Sequence, residues 1–425
     1  MSLALARPYI DGVMLAINAI PDSALVVDSP WCGQERIERI APNHDWNSDL
    51  SRYDGNHRVR LVQFDPEEAA LGTEARLRDM LAETARLRHP EVLFACFSGL
   101  ASLFESWDMM RLESLKEDLG TTLLELPGDP LDMSVSEGYA TVLERAARHF
   151  AETAKTESPQ KGHLSLIGHF HDRNEADRAA DREELKRLVS LLGLELDTIW
   201  LDGSPWKALS RIASSETIVS LPYAGKAGSI IAKTWGRNHG SLPLPLGIAA
   251  SEEWLVKLGL LCGEKEKAQL LAEQESVKTA KTLLPLAERR FLGKNAAVCA
   301  DANQGPALTK VLQELGFHVA LVSIQSFEQE EKNVQGMKIF SGLTVAELKG
   351  HLQNLAESGS GLDLILGSSI EREAAKDCRA AYVEVGWPSW SHHSVFPQPT
   401  LGFRGVLGLA DRINAALTER NLTKK

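Results

Sequence analysis

The chain has 425 residues, of which 44% are hydrophobic and 24% charged, and a formal net charge of −12 at pH 7. That length exceeds what one hydrophobic core organises, so two or three domains are expected. The acidic balance argues against nucleic acid as a partner, because phosphate binding needs a basic face, and no apolar run approaches the ~18 residues of a membrane-spanning helix, so no membrane partner is expected either.

The opening "MSLALARPYIDGVMLAINAI" has the apolar character of a secretory leader, but Arg7, Pro8 and Asp11 interrupt it and no basic region precedes it. Export is therefore not expected. "SALVV" (23–27) and "RVRLVQF" (58–64) read as strands, the second closed by Asp65-Pro66. Residues 73–88 have helical spacing, with Leu77, Leu81 and Ala85 on one stripe and Thr73 as a cap. "EVLFACF" (91–97) is a continuous apolar run of the kind a buried parallel strand needs, and "TTLLELPG" (121–128) is a further strand ending in a turn. Strands alternating with helices imply βαβ units and a parallel sheet.

The polar stretch 153–163 reads as a linker, and an internal echo follows it. "HLSLIGHF" (163–170), a charged helix and "LLGLELDTIWL" (191–201) form one unit; "NAAVCADAN" (295–303), a helix and "ELGFHVALVSI" (314–324) form another. In each, the helix ends at a glycine, Gly193 or Gly316, which supplies the positive φ of a C-terminal cap. The expected organisation is an N-terminal Rossmann-like domain over 1–155, a second over 163–262 and a third over 285–425, with 263–284 as a connecting helix. No GxGxxG or GxxxxGK[ST] follows a strand, so the common nucleotide fingerprints are absent. Ligands are still expected at the carboxyl ends of the strands.

The five cysteines, Cys32, Cys96, Cys262, Cys299 and Cys378, are odd in number, widely spread and form no CxxC pair. That excludes a disulfide framework and a zinc site held by this chain alone, and it fits a cytoplasmic location. Cys96, Cys299 and Cys378 lie within or beside apolar strands and read as core; Cys262 sits at a helix boundary. Cys32 differs, because in "VVDSPWCGQERIERI" it follows a strand end and an irregular Pro30-Trp31 turn and precedes a helix. The backbone N–H groups and dipole of a helix N-terminus favour a thiolate there, one able to ligate metal or act as a nucleophile; a small buried hydrophobe is the alternative. Two further stretches stand out. "EVGWPSWSHHSVFPQPTLGFRG" (384–405) is a long irregular segment whose Trp387, Trp390, His392, His393, Phe396 and Arg404 could line a pocket or pack against a neighbouring subunit. In "SLPYAGKAGSIIAKTWG" (220–236), Tyr223, Lys226 and the turn N–H groups suit an anion, with a plain strand-to-helix turn as the alternative.

Four segments together resemble the nitrogenase component 1 family: "VVDSPWCG", "HPEVLFACFSGLASLFESWD" (89–108), "LPLPLGIAASEEWLVKLGLLCG" (242–263) and "GWPSWSHHSVFPQPTLGFRGVLGLADRINAAL" (386–417). The last is the most specific and is closer to the β-type subunit than to the α-type. The resemblance implies an α/β chain of three Rossmann-like doubly wound parallel-sheet domains. It also implies an α-type component 1 partner in a heterotetramer, a [4Fe–4S] cluster shared across the subunit boundary, and an ATP-hydrolysing iron protein as electron donor. Where such subunits carry three N-terminal cysteines, only the middle one, Cys32, is kept; the first position falls near Arg7-Pro8 and the third near Gly99. The cofactor cysteine of the catalytic α-type subunit would fall near Leu221-Pro222 and is absent.

One cysteine plus a glycine at the third position resembles the β-type subunit of the cofactor-assembly scaffold; the lost cysteines favour the scaffold, and the degenerate "DSPWCG" leaves room for a divergent reductase subunit. A four-iron cluster takes about four ligands, so Cys32 alone cannot hold it and a partner must supply the others. Two other readings stay open: a cluster-free structural subunit that completes a partner's pocket, and an unrelated doubly wound small-molecule enzyme.

Overall fold

A computed structural model describes residues 5–30, 33–64, 67, 73–97, 115, 119–127, 133–155, 157–334, 336–359 and 361–423. They fall into two compact units. One comprises Pro8–Asn174 and Leu196–Gly240; the other comprises Met1–Arg7, Glu175–Glu195 and Ser241–Lys425.

The first unit opens with α1 (Tyr9–Asn18), all ten of whose residues are buried. Residues 9–18 of the apolar opening are thus a buried helix. Next come β1 (Ser23–Pro30), α2 (Gly33–Ile40), β2 (Val59–Phe64), α3 (Glu74–Arg88), β3 (Val92–Phe97) and β4 (Thr122–Glu125). The four strands form a parallel sheet in the order β2-β1-β3-β4. Ala24, Leu25, Val26 and Val27 are all fully buried, as a central parallel strand covered on both faces requires. Leu77, Leu81 and Ala85 of α3 pack on Ala24, Val26, Leu93 and Ala95, the stripe expected from their spacing. Each fully buried leucine of that stripe contributes roughly 2 kcal/mol.

After α4 (Val135–Thr153) comes β5 (Gln160–Ile167). The strand therefore begins inside the stretch whose polarity reads as a linker. Its first four residues are exposed or half-buried, and a register shift between Gln160 and Leu164 separates them from the apolar half. α5 (Ala176–Leu191) belongs to the other unit. β6 (Glu195–Ile199), β7 (Ser215–Ser220), α6 (Ala227–Trp235) and β8 (Asn238–Ser241) follow, and the sheet runs β6-β5-β7-β8. This is the order of the first sheet repeated.

The second unit contains α7 (Ile248–Leu261), α8 (Lys265–Leu286), β9 (Asn295–Ala300), α9 (Gln304–Glu314), β10 (His318–Ile324), β11 (Glu330–Val334), β12 (Met337–Ser341), α10 (Val345–Glu357), β13 (Leu364–Gly367), α11 (Ser369–Ala375), β14 (Ala381–Glu384) and α12 (Gly402–Thr423). The sheet order is β11-β12-β10-β9-β13-β14, with β11 antiparallel to β12 and the other neighbouring pairs parallel. Gly193 and Gly316 carry φ of 75° and 92°, the left-handed turn expected after α5 and α9. Three parallel-based α/β sheets of Rossmann-like type therefore make up the chain.

Candidate functional site

In the first sheet the chain leaves β1 for β2 on one side and later reaches β3 on the other. The crevice where strand order reverses lies at the carboxyl ends of β1 and β3, the usual ligand position in such sheets. Cys32 follows the last residue of β1 by two positions and directly precedes α2; Gly99 follows the last residue of β3 by two. Both lie outside the described residues. Around them, Asp28 is fully buried, and its Oδ2 accepts a hydrogen bond from the Thr73 hydroxyl. Thr73 thus departs from its expected role: it makes no side-chain cap bond to α3, its backbone at φ −101° and ψ 1° lacking the extended conformation of a capping residue. Arg36 of α2 pairs with the buried Asp11 of α1 at 3.0 Å and fixes the helix that begins at Gly33.

The second sheet repeats this geometry with different residues. After β5, the segment Gly168–Asn174 brings His169, His171, Asp172 and Arg173 into buried positions. Facing it are His44 and Asp45, both fully buried. Asp45 Oδ2 accepts from Asn18 Nδ2 (2.7 Å), the Asn174 amide (2.9 Å) and Asn174 Nδ2 (3.0 Å); its Oδ1 accepts from the Asn47 amide (2.9 Å). His44 Nε2 lies 3.5 Å from Asp172 Oδ2, and His171 Nε2 lies 3.1 Å from Asn174 Oδ1. The Tyr139 hydroxyl donates to the His169 carbonyl (3.0 Å) and accepts from the His171 amide (3.2 Å). Sequence reasoning did not single out this cluster. Its signal was present: two histidines and three further polar residues within seven positions of an apolar strand's carboxyl end.

The irregular C-terminal stretch belongs to the second unit, and carboxylates hold it. Glu384, at the end of β14, accepts through Oε1 from Ser369 Oγ (2.7 Å), Ser389 Oγ (2.8 Å) and the Ser391 amide (3.0 Å). Burial raises its pKa, but these hydrogen bonds and Arg372 outweigh burial and hold it below the usual value. Glu175 accepts from His393 Nδ1 and the Ser394 amide, both at 2.7 Å. Asp181 of α5 accepts from the Thr400 and Leu401 amides at 2.6 and 2.9 Å. Glu184 accepts from the Arg404 amide at 3.3 Å. Orphan N–H groups at the start of α12 are thus met by the protein's own negative charges. Gly402 is required here: its φ is +72°, and a Cβ would come within 2.5 Å of Glu184 Cγ.

Of the residues expected to line a pocket, Trp390, His392 and His393 share this one loop, and Arg404 stands in the first turn of α12. Trp390 is 37% exposed, and its amide donates to Ser369 Oγ. The His392 carbonyl accepts from Ser389 Oγ. Trp387 is buried and Phe396 exposed. The Arg404 guanidinium is exposed, 3.5 Å from Glu184. Tyr223 and Lys226 stand after β7 in the first unit. Tyr223 is buried, stacked on Phe170 with ring centroids 4.5 Å apart. The Lys226 amide donates to Glu144 Oε1 at 2.8 Å, so an internal carboxylate already uses that turn N–H.

Cys96, Cys299 and Cys378 are buried, as their apolar surroundings indicate. Burial pushes the Cys299 and Cys378 thiols up, so neither is poised as a thiolate. Arg7, near the family's first cysteine position, is buried with its guanidinium 2.9 Å from the equally buried Glu371. Among the described residues no group of three or more His, Cys, Asp or Glu side chains could hold a metal ion. No described helix is long and apolar enough to cross a membrane.

A model of the nitrogenase component 1 type oxidoreductase family matches residues 9–418. The chain belongs to the nitrogenase component 1 family. Its similarity is to β chains. It is 23% identical over 304 residues to the nitrogenase molybdenum-iron protein beta chain of Azospirillum brasilense, covering 65% of this chain and 56% of that one. It is 25% identical over 267 residues to the nitrogenase vanadium-iron protein beta chain of Trichormus variabilis, covering 56% and 57%. The chain thus spans little more than half the length of these curated relatives. A solved nitrogenase Cp1 structure at pH 6.5 superposes with a TM-score of 0.81 at 16% identity, covering 99% of this chain and 94% of the other; the nitrogenase component 1 fold is therefore shared throughout. The β-type resemblance of the "PTLGFRG" segment agrees with these relatives.

Proposed function

We propose that this chain is the β-type half of a two-component complex, in which Cys32 supplies one thiolate to an iron–sulfur cluster shared with an α-type partner. The complex carries out ATP-dependent reductive chemistry, or assembles a metal cofactor, with electrons from a separate iron protein, in the cytoplasm and as a heterotetramer. One observation carries the reading: the positions of Cys32 and Gly99 follow the two strands that flank the reversal point of the first sheet. When bound, a [4Fe–4S] cluster supplies one-electron transfer and needs about four ligands. Cys96 is sealed within β3 and Asp28 is engaged by Thr73, so this chain offers the site one thiol. The residues therefore fit a single ligand of a shared cluster and do not fit a complete one. The α2 dipole favours the ionised form of a thiol placed just before it.

A second reading is favoured by Arg7. At the sequence position near which the family carries its first cysteine, this chain has Arg7, committed to a buried ion pair with Glu371, as in a subunit that has lost its cluster and completes a partner's pocket. One experiment separates the two. The chain is co-purified anaerobically with its α-type partner, and iron is counted for the wild type and for Cys32→Ala. Iron in the wild-type complex that falls by at least half in an intact variant complex supports cluster sharing. Unchanged iron in the variant overturns it, and a colourless wild-type complex supports the cluster-free reading.

A further inference from the structure

The end of α8 departs from ordinary helix. Pro285 lies inside it, and the chain continues as one π-helical turn, Ala287–Phe291. Such turns widen the helix, re-aim side chains and concentrate at functional sites. Here Phe291 is buried and stacks on Phe317 with centroids 5.2 Å apart. That anchors the turn and leaves Arg289 exposed and Arg290 half-exposed.

These two arginines, Lys294 and Arg420 of α12 line a cavity of about 190 Å³ together with Asp363. Four cations against one carboxylate is an unusual local balance in a chain of net charge −12. Asp363 does not neutralise it. Its Oδ1 accepts from Arg420 Nη1 at 2.7 Å and its Oδ2 from the Asn295 amide at 3.1 Å. Arg420 is further committed to the carbonyls of Leu362 and Arg379, at 3.1 and 2.7 Å. Arg290 donates to two neutral acceptors on α12, Asn414 Oδ1 (3.2 Å) and Thr418 Oγ1 (2.8 Å), which fix its fork without compensating its charge. Among the described residues, Arg289, Arg290 and Lys294 form no ion pair.

Like charges held around one cavity repel, and a small anion relieves that repulsion. Guanidinium forks match the oxygens of a tetrahedral oxyanion. The cavity is smaller than the roughly 300 Å³ at which pockets begin to enclose drug-sized ligands. It therefore admits an ion with a few waters, and not a nucleoside. We propose that this cavity binds a phosphate-class dianion, either inorganic phosphate or the terminal phosphoryl group of a nucleotide. The proposal is independent of the reading of Cys32.

The test is ³¹P line broadening of inorganic phosphate, and separately of magnesium-free ATP, titrated with the full chain at low salt, where exposed charges are least screened. The wild type should bind phosphate saturably. Lys294→Glu should weaken binding about tenfold, as removing one cation and adding a like charge predicts. Lys278→Glu changes the net charge equally, but sits eleven residues before Arg289, about 16 Å along the helix; it should change binding less than about twofold. Arg289→Gln serves as a second cavity variant should Lys294→Glu fail to fold by circular dichroism. Tighter phosphate than ATP assigns the free ion; tighter ATP that phosphate displaces assigns the nucleotide's phosphoryl group. Absence of saturable binding, or equal loss in Lys294→Glu and Lys278→Glu, overturns the proposal.

Discussion

The exits of β1 and β5 occupy the same place in two sheets of the same strand order, within one unit, and they are furnished differently. At β5, the buried Asp45 gathers four donors, His44 Nε2 lies 3.5 Å from Asp172, and the rings of His169 and His171 lie 6.1 Å apart. At β1, the Thr73 hydroxyl donates to the buried Asp28 near the strand's end, and the sequence places a thiol four residues after it. Strand order fixes where a ligand can sit; it does not decide what the site can do. At the β5 exit, Asp45 ties α1, the turn after α2 and the loop after β5 together by hydrogen bonds. After the β1 exit the sequence places Cys32, the proposed ligand, directly before α2.

Asp45→Ala should have the larger effect of two substitutions that probe this contrast. It leaves the buried Asn18 and the half-buried Asn174 donors without their acceptor, at a cost of about 3 kcal/mol. The measurement is the urea midpoint of the first unfolding transition, with the slope unchanged. A loss below about 1 kcal/mol would mean that water readily replaces the carboxylate, and the two exits would then be alike. Thr73→Val keeps shape and removes one hydroxyl bond to Asp28. About 1–2 kcal/mol is expected, clearly less than for Asp45→Ala in the same titration; the reverse order would break the comparison.

Much of this architecture was legible because it rests on apolar periodicity. The runs 23–27, 58–64 and 91–97 became β1, β2 and β3, and Leu77, Leu81 and Ala85 became the buried stripe of α3. The rest was hidden where another force dominates. β11 is a fully exposed, charged edge strand with no apolar alternation to betray it, as edges that resist aggregation tend to be. β5 starts with polar residues because its first half is not covered. The Thr73 hydroxyl was assigned to its own helix because capping is a local rule, whereas Asp28 is 45 positions away in sequence. The β5 cluster was missed for the same reason: His44 and Asp45 are distant in sequence from the loop they support. In the C-terminal loop, the aromatic and histidine residues were visible, but Glu175 and Asp181, which hold the loop from more than 200 positions earlier, were not.

The smallest expected effect lies on α2, just beyond position 32. Glu35 and Arg39 pair across one turn at 2.7 Å, with the Glu35 side chain 69% exposed. The hydrogen bond from Arg39 and then its charge hold the Glu35 pKa below its ordinary 4.5, against a small opposing contribution from burial. A carboxyl whose folded pKa is depressed adds stability above its unfolded pKa and loses it as the pH falls through the folded value. The wild type should therefore exceed Glu35→Gln by a few tenths of a kcal/mol at neutral pH. The difference should shrink once the pH drops below about 4.5 and should also shrink in 1 M salt, where the screening length is about 3 Å. Urea midpoints at two pH values and two salt concentrations measure it. A cost above about 1 kcal/mol, or one indifferent to salt, would place this pair in a desolvated environment. The β1 exit would then be as firmly built as the β5 exit, and the contrast between a closed polar cluster and a solvated helix start would fail.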